Sequence, residues 1–209
     1  MAWYKLLTSI AFVTLVASIS FHFIRLIRYG KPTDYSKKAG NTAKSIRYSF
    51  TGAMSPSKKE SAFLHLPTYT AGVIFHLGTF LSLALFLMLY FNTTFVSPIA
   101  YIIAAFLSLS TICGFGILIK RIVVSKLRTL SNPDDYISNV LVTLAQGLTV
   151  AQLLGMQTDI LYYTAFTLLF LYFPLGKLKH AIYFFAARYQ LGFFYGWRGV
   201  WPPQNKYTE

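Results

Sequence analysis

Between residues 61 and 119 the chain carries no Asp, Glu, Lys or Arg. A globular domain in water has about 25% charged residues, whereas only 12% of these 209 residues are charged. A charge-free stretch of this length has no face to offer to water and reads as membrane helix. At 1.5 Å per residue it is too long for one crossing of about 20 residues. The polar stretch F-N-T-T-F-V-S-P at 91–98 divides it into spans near 68–91 and 98–119. Disorder and an ordinary water-soluble enzyme are both excluded.

The same reading applied to the rest of the chain gives three further spans. The first covers about 4–26; its apolar run continues through F-H-F-I-R-L-I-R, which makes it a retained anchor and not a cleaved signal peptide. The fourth covers about 136–155 and follows S-N-P-D-D at 131–135, a turn and helix start. The fifth runs about 160–187. The expected fold is an all-α integral membrane protein, a single domain over 1–209 built as a bundle of five transmembrane helices. A basic loop at 27–66 and an interfacial tail at 188–209 complete it, and no internal repeat is present.

Nineteen Lys and Arg against six Asp and Glu give a net charge of +13. In a soluble protein this would suggest nucleic acid, but here the cations fall between apolar segments, so no nucleic-acid partner is expected. With five spans, the segments 25–60, 120–135 and 177–209 share one side and hold all the cations but Lys5. The positive-inside rule then puts the N-terminus outside and the C-terminus in the cytoplasm. Cys113 is the one cysteine; it reads as a small buried hydrophobe and excludes an intrachain disulfide or a CxxC site. Asp134, Asp135 and Asp159 read as helix caps and solvated turn residues.

Chemistry must come from few side chains, since no phosphate loop, nucleophile elbow, zinc motif or intramembrane carboxylate pair occurs. Histidine inside a span is costly and more often functional. His76, in A-G-V-I-F-H-L-G-T-F, lies eight residues into the second span, about 12 Å deep. If the fifth helix continues to Arg188, His180 lies eight residues from its cytoplasmic end, again about 12 Å. Two imidazoles at matching depth on different helices suit the two axial positions of one haem iron. Small Ala71, Gly72 and Gly78 would let a flat macrocycle approach. The competing reading is a pair of hydrogen-bonded structural histidines. His22 and His65, near the cytoplasmic interface, are either plain surface residues or contacts to a quinone, a propionate or a second haem.

Five spans with the N-terminus outside, F-H-L-G at 75–78 and F-P-L-G-K-L-K-H at 173–180 resemble the gamma subunit of respiratory nitrate reductase. The connection R-I-V-V-S-K-L-R-T-L-S-N-P-D-D-Y at 121–136 is similar to the cytochrome b subunits of heterodisulfide reductase and of the Dsr membrane complex. The resemblance covers about 68–180. It implies b-type haem with bis-histidine ligation, exchange with menaquinone or ubiquinone, and a cytoplasmic iron–sulfur or catalytic partner subunit. His76 and His180 match the ligands of the haem nearer that partner. Where two-haem relatives place the outer ligands, this chain has Phe86 and Tyr162, neither a normal axial ligand, so one haem is expected.

With only an inner haem, a quinone site near the cytoplasmic leaflet is expected, with His22, His65 and Tyr48 as candidates by position. Lys177, Lys179 and Arg188 are the cations best placed for haem propionates. The cluster Arg25, Arg28, Lys31, Lys37, Lys38, Lys44, Arg47, Lys58 and Lys59 reads first as topology signal and contact to the lipid bilayer. The aromatic C-terminal stretch serves either as a headgroup-level anchor or as a partner dock. The rival functions are a haem-free anchor with a quinone pocket, a histidine-based transporter, and a lipid-directed enzyme using His65 with Asp134 and Asp135.

Overall fold

The computed structural model describes residues 2–29, 34–58 and 63–203, and among these every regular element is a helix. We number the α-helices in chain order: α1 Trp3–Tyr29, α2 Thr42–Phe50, α3 Leu66–Tyr90, α4 Ser97–Val123, α5 Ser125–Thr129, α6 Pro133–Leu153, α7 Asp159–Tyr172 and α8 His180–Trp197. Three of them, α1, α3 and α4, are each long and apolar enough to cross a membrane; a fourth crossing is present if the bent pair α7 and α8 counts as one. Spans two and three thus fall where the uncharged stretch puts them, with α4 running one turn further to include Lys120 and Arg121. Lys120 extends its ammonium to Thr68 Oγ1 at 2.6 Å. The 21-residue α6 is long enough but, with Asn139, Gln146 and Gln152 in it, is not apolar enough to be counted with the others.

The expected continuous fifth span is broken. Helix α7 stops at Tyr172, and helix resumes only with the 3-10 turn Lys177–Lys179 and α8. Phe173 still has helical dihedrals and donates to the Leu169 carbonyl at 2.9 Å, but Pro174 has no N–H to continue the ladder. The chain instead closes a turn in which Leu175 and Gly176 N–H both donate to the Tyr172 carbonyl, at 3.0 and 2.9 Å. Gly176 is buried there, and a Cβ on it would lie 2.4 Å from the Tyr172 ring. Within the stretch expected as an interfacial tail, α8 carries helix through to Trp197.

This break is fastened to the start of α6. Asn132 caps α6 in a reciprocal capping box with Asp135, as the S-N-P-D-D signal predicts. The two aspartates do more than cap. Tyr172 donates its hydroxyl to Asp134, and Asp135 receives Lys177 Nζ at 2.5 Å and Arg121 at 3.3 Å. Burial alone would push the Asp135 carboxyl up; Lys177, the Asn132 N–H and Arg121 together hold it below its ordinary 3.8. A carboxyl depressed in the folded state stabilises fully above that value and loses its contribution as pH falls below it, through the folded value. Asp135→Ala should therefore cost about 1–3 kcal/mol in detergent-solubilised protein at neutral pH. That cost should shrink below about pH 4, as thermal melts at both pH values would register.

The chain divides into two compact units, Met1–Ser18 with Pro67–Leu178, and Ile19–Leu66 with Lys179–Glu209. In the first unit the interior combines small, polar and aromatic residues with a few aliphatic ones, Leu15, Leu85, Leu107, Val142 and Leu169. Large aliphatic side chains such as Val13, Ile102, Leu109, Ile112 and Leu161 point outward. Helices in lipid gain nothing by hiding leucine from a hydrocarbon solvent, and associate through close packing and hydrogen bonds. Fully buried Gln146 is the hub: its Nε2 donates to Thr79 Oγ1 (2.9 Å) and the Phe75 carbonyl (3.1 Å), and its Oε1 accepts from Ser110 (2.8 Å). These bonds tie α3, α4 and α6 together. Phe86, Tyr162, Tyr163, Phe166 and Phe170 form a second buried cluster, Phe86 and Phe166 stacked at 4.5 Å.

In the second unit α2 lies against α8 through small residues on both sides. Ser45 and Ser49 on α2 face Gly192 and Gly196 on α8, all four buried. Ser49 donates to the Arg188 carbonyl at 2.8 Å, and Ser45 donates to the Trp201 carbonyl. The segment before α2 is laced to the end of α8: Ala39 N–H donates to the Trp197 carbonyl (2.7 Å), Trp197 Nε1 to the Ser36 carbonyl (2.8 Å), and Arg198 pairs with Asp34 (2.9 Å). The basic loop is thus a folded element in its described part.

Candidate functional site

His76 projects from the exposed side of α3, ten residues into a helix of 25. Its Nδ1 lies 2.6 Å from the Gly72 carbonyl oxygen one turn back. A carbonyl only accepts, so Nδ1 is the donor, which in a neutral imidazole leaves the lone pair on Nε2. That is the tautomer a metal-binding imidazole needs, with the second nitrogen held by a carbonyl. Gly72 borders open space: a Cβ there would meet nothing within 4 Å. Gly78 plays a different part from the one expected. It is buried, with Ser110 Cβ 2.5 Å from where its own Cβ would stand, so it admits α4 and the Gln146 hub and not a macrocycle.

His180 is the first residue of α8 and exposed. The expectation that it lies eight residues inside a continuous helix ending at Arg188 does not hold, because Pro174 ends that helix before it. His76 belongs to the first unit and His180 to the second. Lys177, expected at a haem propionate, points its ammonium at the Asp135 carboxylate at 2.5 Å. Lys179 is half-buried in the 3-10 turn Lys177–Lys179, and the half-buried Arg188 has its guanidinium 5.6 Å from the Phe184 ring centroid.

Among the quinone candidates, His65 is exposed just before α3, and Tyr48 packs edge-on against Trp201 at 5.6 Å. His22 is half-buried on α1, its Nδ1 3.1 Å from the Tyr183 hydroxyl, with Phe21 and Tyr183 rings edge-on to the imidazole. Tyr183 was not singled out in the sequence; its place one helical turn after His180 is the only local signal. Gln146 was also missed, although an amide in the middle of an apolar helix is the kind of residue that marks a site or a structural hub. Phe86 and Tyr162 face each other across 6.1 Å within the aromatic cluster. Cys113 is half-buried on α4. Among the described residues no group of three or more His, Cys, Asp or Glu could hold a bare metal ion. No protein-family model, curated protein or solved structure matches the chain.

Proposed function

We propose that this chain is the membrane-anchoring haem b subunit of a prokaryotic respiratory complex. It would pass electrons between the quinone pool and a cytoplasmic iron–sulfur or catalytic subunit through one haem, with His76 and His180 as axial ligands. Five crossings with the N-terminus outside are part of that reading. The observation that carries it is His76: an imidazole deep in a charge-free helix, with Nδ1 fixed on a carbonyl and a glycine beside it that opens onto free space. A haem supplies one-electron transfer at its iron. The chain supplies the oriented imidazole and the flat approach at Gly72. The aromatic filling around Phe86 and Tyr162 supports one haem in place of two, since those positions are occupied by packed rings. For the quinone, the His22–Tyr183 pair is favoured over His65 and Tyr48, because a phenol hydrogen-bonded to an imidazole can hand on a proton.

The test is a dithionite-reduced minus oxidised spectrum of the purified chain with a pyridine-haemochrome count. One haem b per chain is expected, lost in His76→Ala and in His180→Ala. Gly72→Leu should also lose haem while the protein stays folded, because among the described residues nothing lies within 4 Å of a Cβ added there. Haem retained in both histidine variants would overturn the ligand assignment. A well-folded chain without haem would leave a haem-free anchor with a quinone pocket.

A further inference from the structure

The cations are unevenly divided between the two units. The second unit's residues hold 13 of the 19 Lys and Arg but only three of the six Asp and Glu. Of those three, Asp34 is taken by Arg198. Helix α2 sorts its residues by face. Ser45 and Ser49 turn into α8, whereas Ala43, Lys44, Arg47 and Phe50 lie around the opposite side and are exposed. Among the described residues no carboxylate is within ion-pair reach of Lys44 or Arg47. At the edge of this face Phe50 stacks on Phe185 of α8, rings 6.4 Å apart and 23° from parallel, with both residues exposed.

The same compact unit contains the C-terminal part of α1, a helix of membrane length. That helix is linked to α8, on which α2 packs, through His22 Nδ1 and the Tyr183 hydroxyl at 3.1 Å. Lys and Arg near a bilayer surface are drawn to anionic headgroups, by about fivefold in affinity for each charge. Exposed aromatic rings beside them partition to the headgroup boundary. An acidic protein surface would satisfy Lys44 and Arg47 but gives no account of the exposed Phe50–Phe185 pair. We propose that the outward face of α2, with Lys44, Arg47, Phe50 and the neighbouring Phe185, is a binding surface for anionic phospholipid. The cations take the phosphates and the stacked rings sit at the base of the headgroups. The proposal is independent of the haem reading.

The experiment is amide hydrogen exchange over 43–50 in the full chain, held in nanodiscs of phosphatidylcholine alone or mixed with phosphatidylglycerol. Exchange should slow in the anionic discs, by up to about thirtyfold at low salt for two charges, and the difference should fade at high salt. Lys44→Gln with Arg47→Gln should abolish the difference and leave exchange in the neutral discs unchanged, because the Ser–Gly packing that holds α2 is untouched. Equal exchange of the wild type in both discs would overturn the proposal. So would a lipid effect that survives in the double variant, or protection that follows a co-purifying protein and not lipid charge.

Discussion

Gly192→Val is expected to release α2 from α8 and leave the second unit open to protease, while the first unit stays folded. A Cβ at position 192 would stand 2.5 Å from Ile46 Cα and 3.0 Å from its N, both backbone atoms that no rotamer change can move. The helices would have to separate. Separation would break the Ser49 bond to the Arg188 carbonyl and the Ser45 bond to the Trp201 carbonyl, and expose faces built of serine and glycine. Overpacking a well-fitted contact costs about 1–3 kcal/mol, and the lost hydrogen bonds add about 1 kcal/mol each. Limited proteolysis in detergent should show new cleavage within 34–58. Alanine at the same position should do most of the damage, since the first added carbon already collides. Gly116→Ala on α4 is the control: nothing lies within 4 Å of its Cβ, and alanine in a helix is expected to be neutral or stabilising by about 0.5–1 kcal/mol. Resistance of Gly192→Val to cleavage would show that α2 is not held by this contact.

The second large effect is expected at Gln146. Its side chain is fully buried and has partners for both ends of the amide. Alanine there would leave the Ser110 and Thr79 hydroxyls with fewer partners and open a void where three helices meet. Interhelical hydrogen bonds in lipid contribute about 0.6–2 kcal/mol each, and a deleted buried side chain of this size adds about 2 kcal/mol. A total loss of about 3–4 kcal/mol is expected, read as a lower thermal midpoint in detergent. Gln146→Leu restores volume but not bonding and should fall between. Pairing Gln146→Leu with Ser110→Ala should cost less than the sum of the two, because removing both partners of a buried bond is gentler than removing one. Strict additivity would mean that the Ser110–Gln146 bond contributes nothing.

Helix position was legible where it depends on composition summed along the chain. The uncharged stretch 61–119 yields α3 and α4 to within a turn, and the Asn132 signal yields the start of α6 with its capping box. The fifth span was misread because hydropathy averages across Phe173-Pro174, whereas hydrogen bonding does not. The apolar character continues through a residue that the helix cannot. The contact between Ser45-Ile46-Arg47-Tyr48-Ser49 and Gly192-Phe193-Phe194-Tyr195-Gly196 was illegible for another reason. Each half is a small-residue repeat of modest information, and its meaning lies in a pairing across some 140 residues. At the candidate site, His76 announced itself by scarcity, since a costly residue in lipid needs a reason. Its tautomer, the open side at Gly72, the diversion of Lys177 to Asp135 and the phenol on His22 all depend on neighbours that a linear reading does not supply.

The pairing of α2 with α8 also sets an order of events during synthesis. Residues 34–58 leave the ribosome early, yet the Arg188 carbonyl that Ser49 needs is made 139 residues later. At about 5–20 residues per second, α2 waits on the order of ten seconds with its serine face uncovered, while α3 through α7 are synthesised. A chain arrested anywhere before Gly192 therefore has its first helices made but lacks the partner for α2. Quality-control proteases would find such a chain at that segment first.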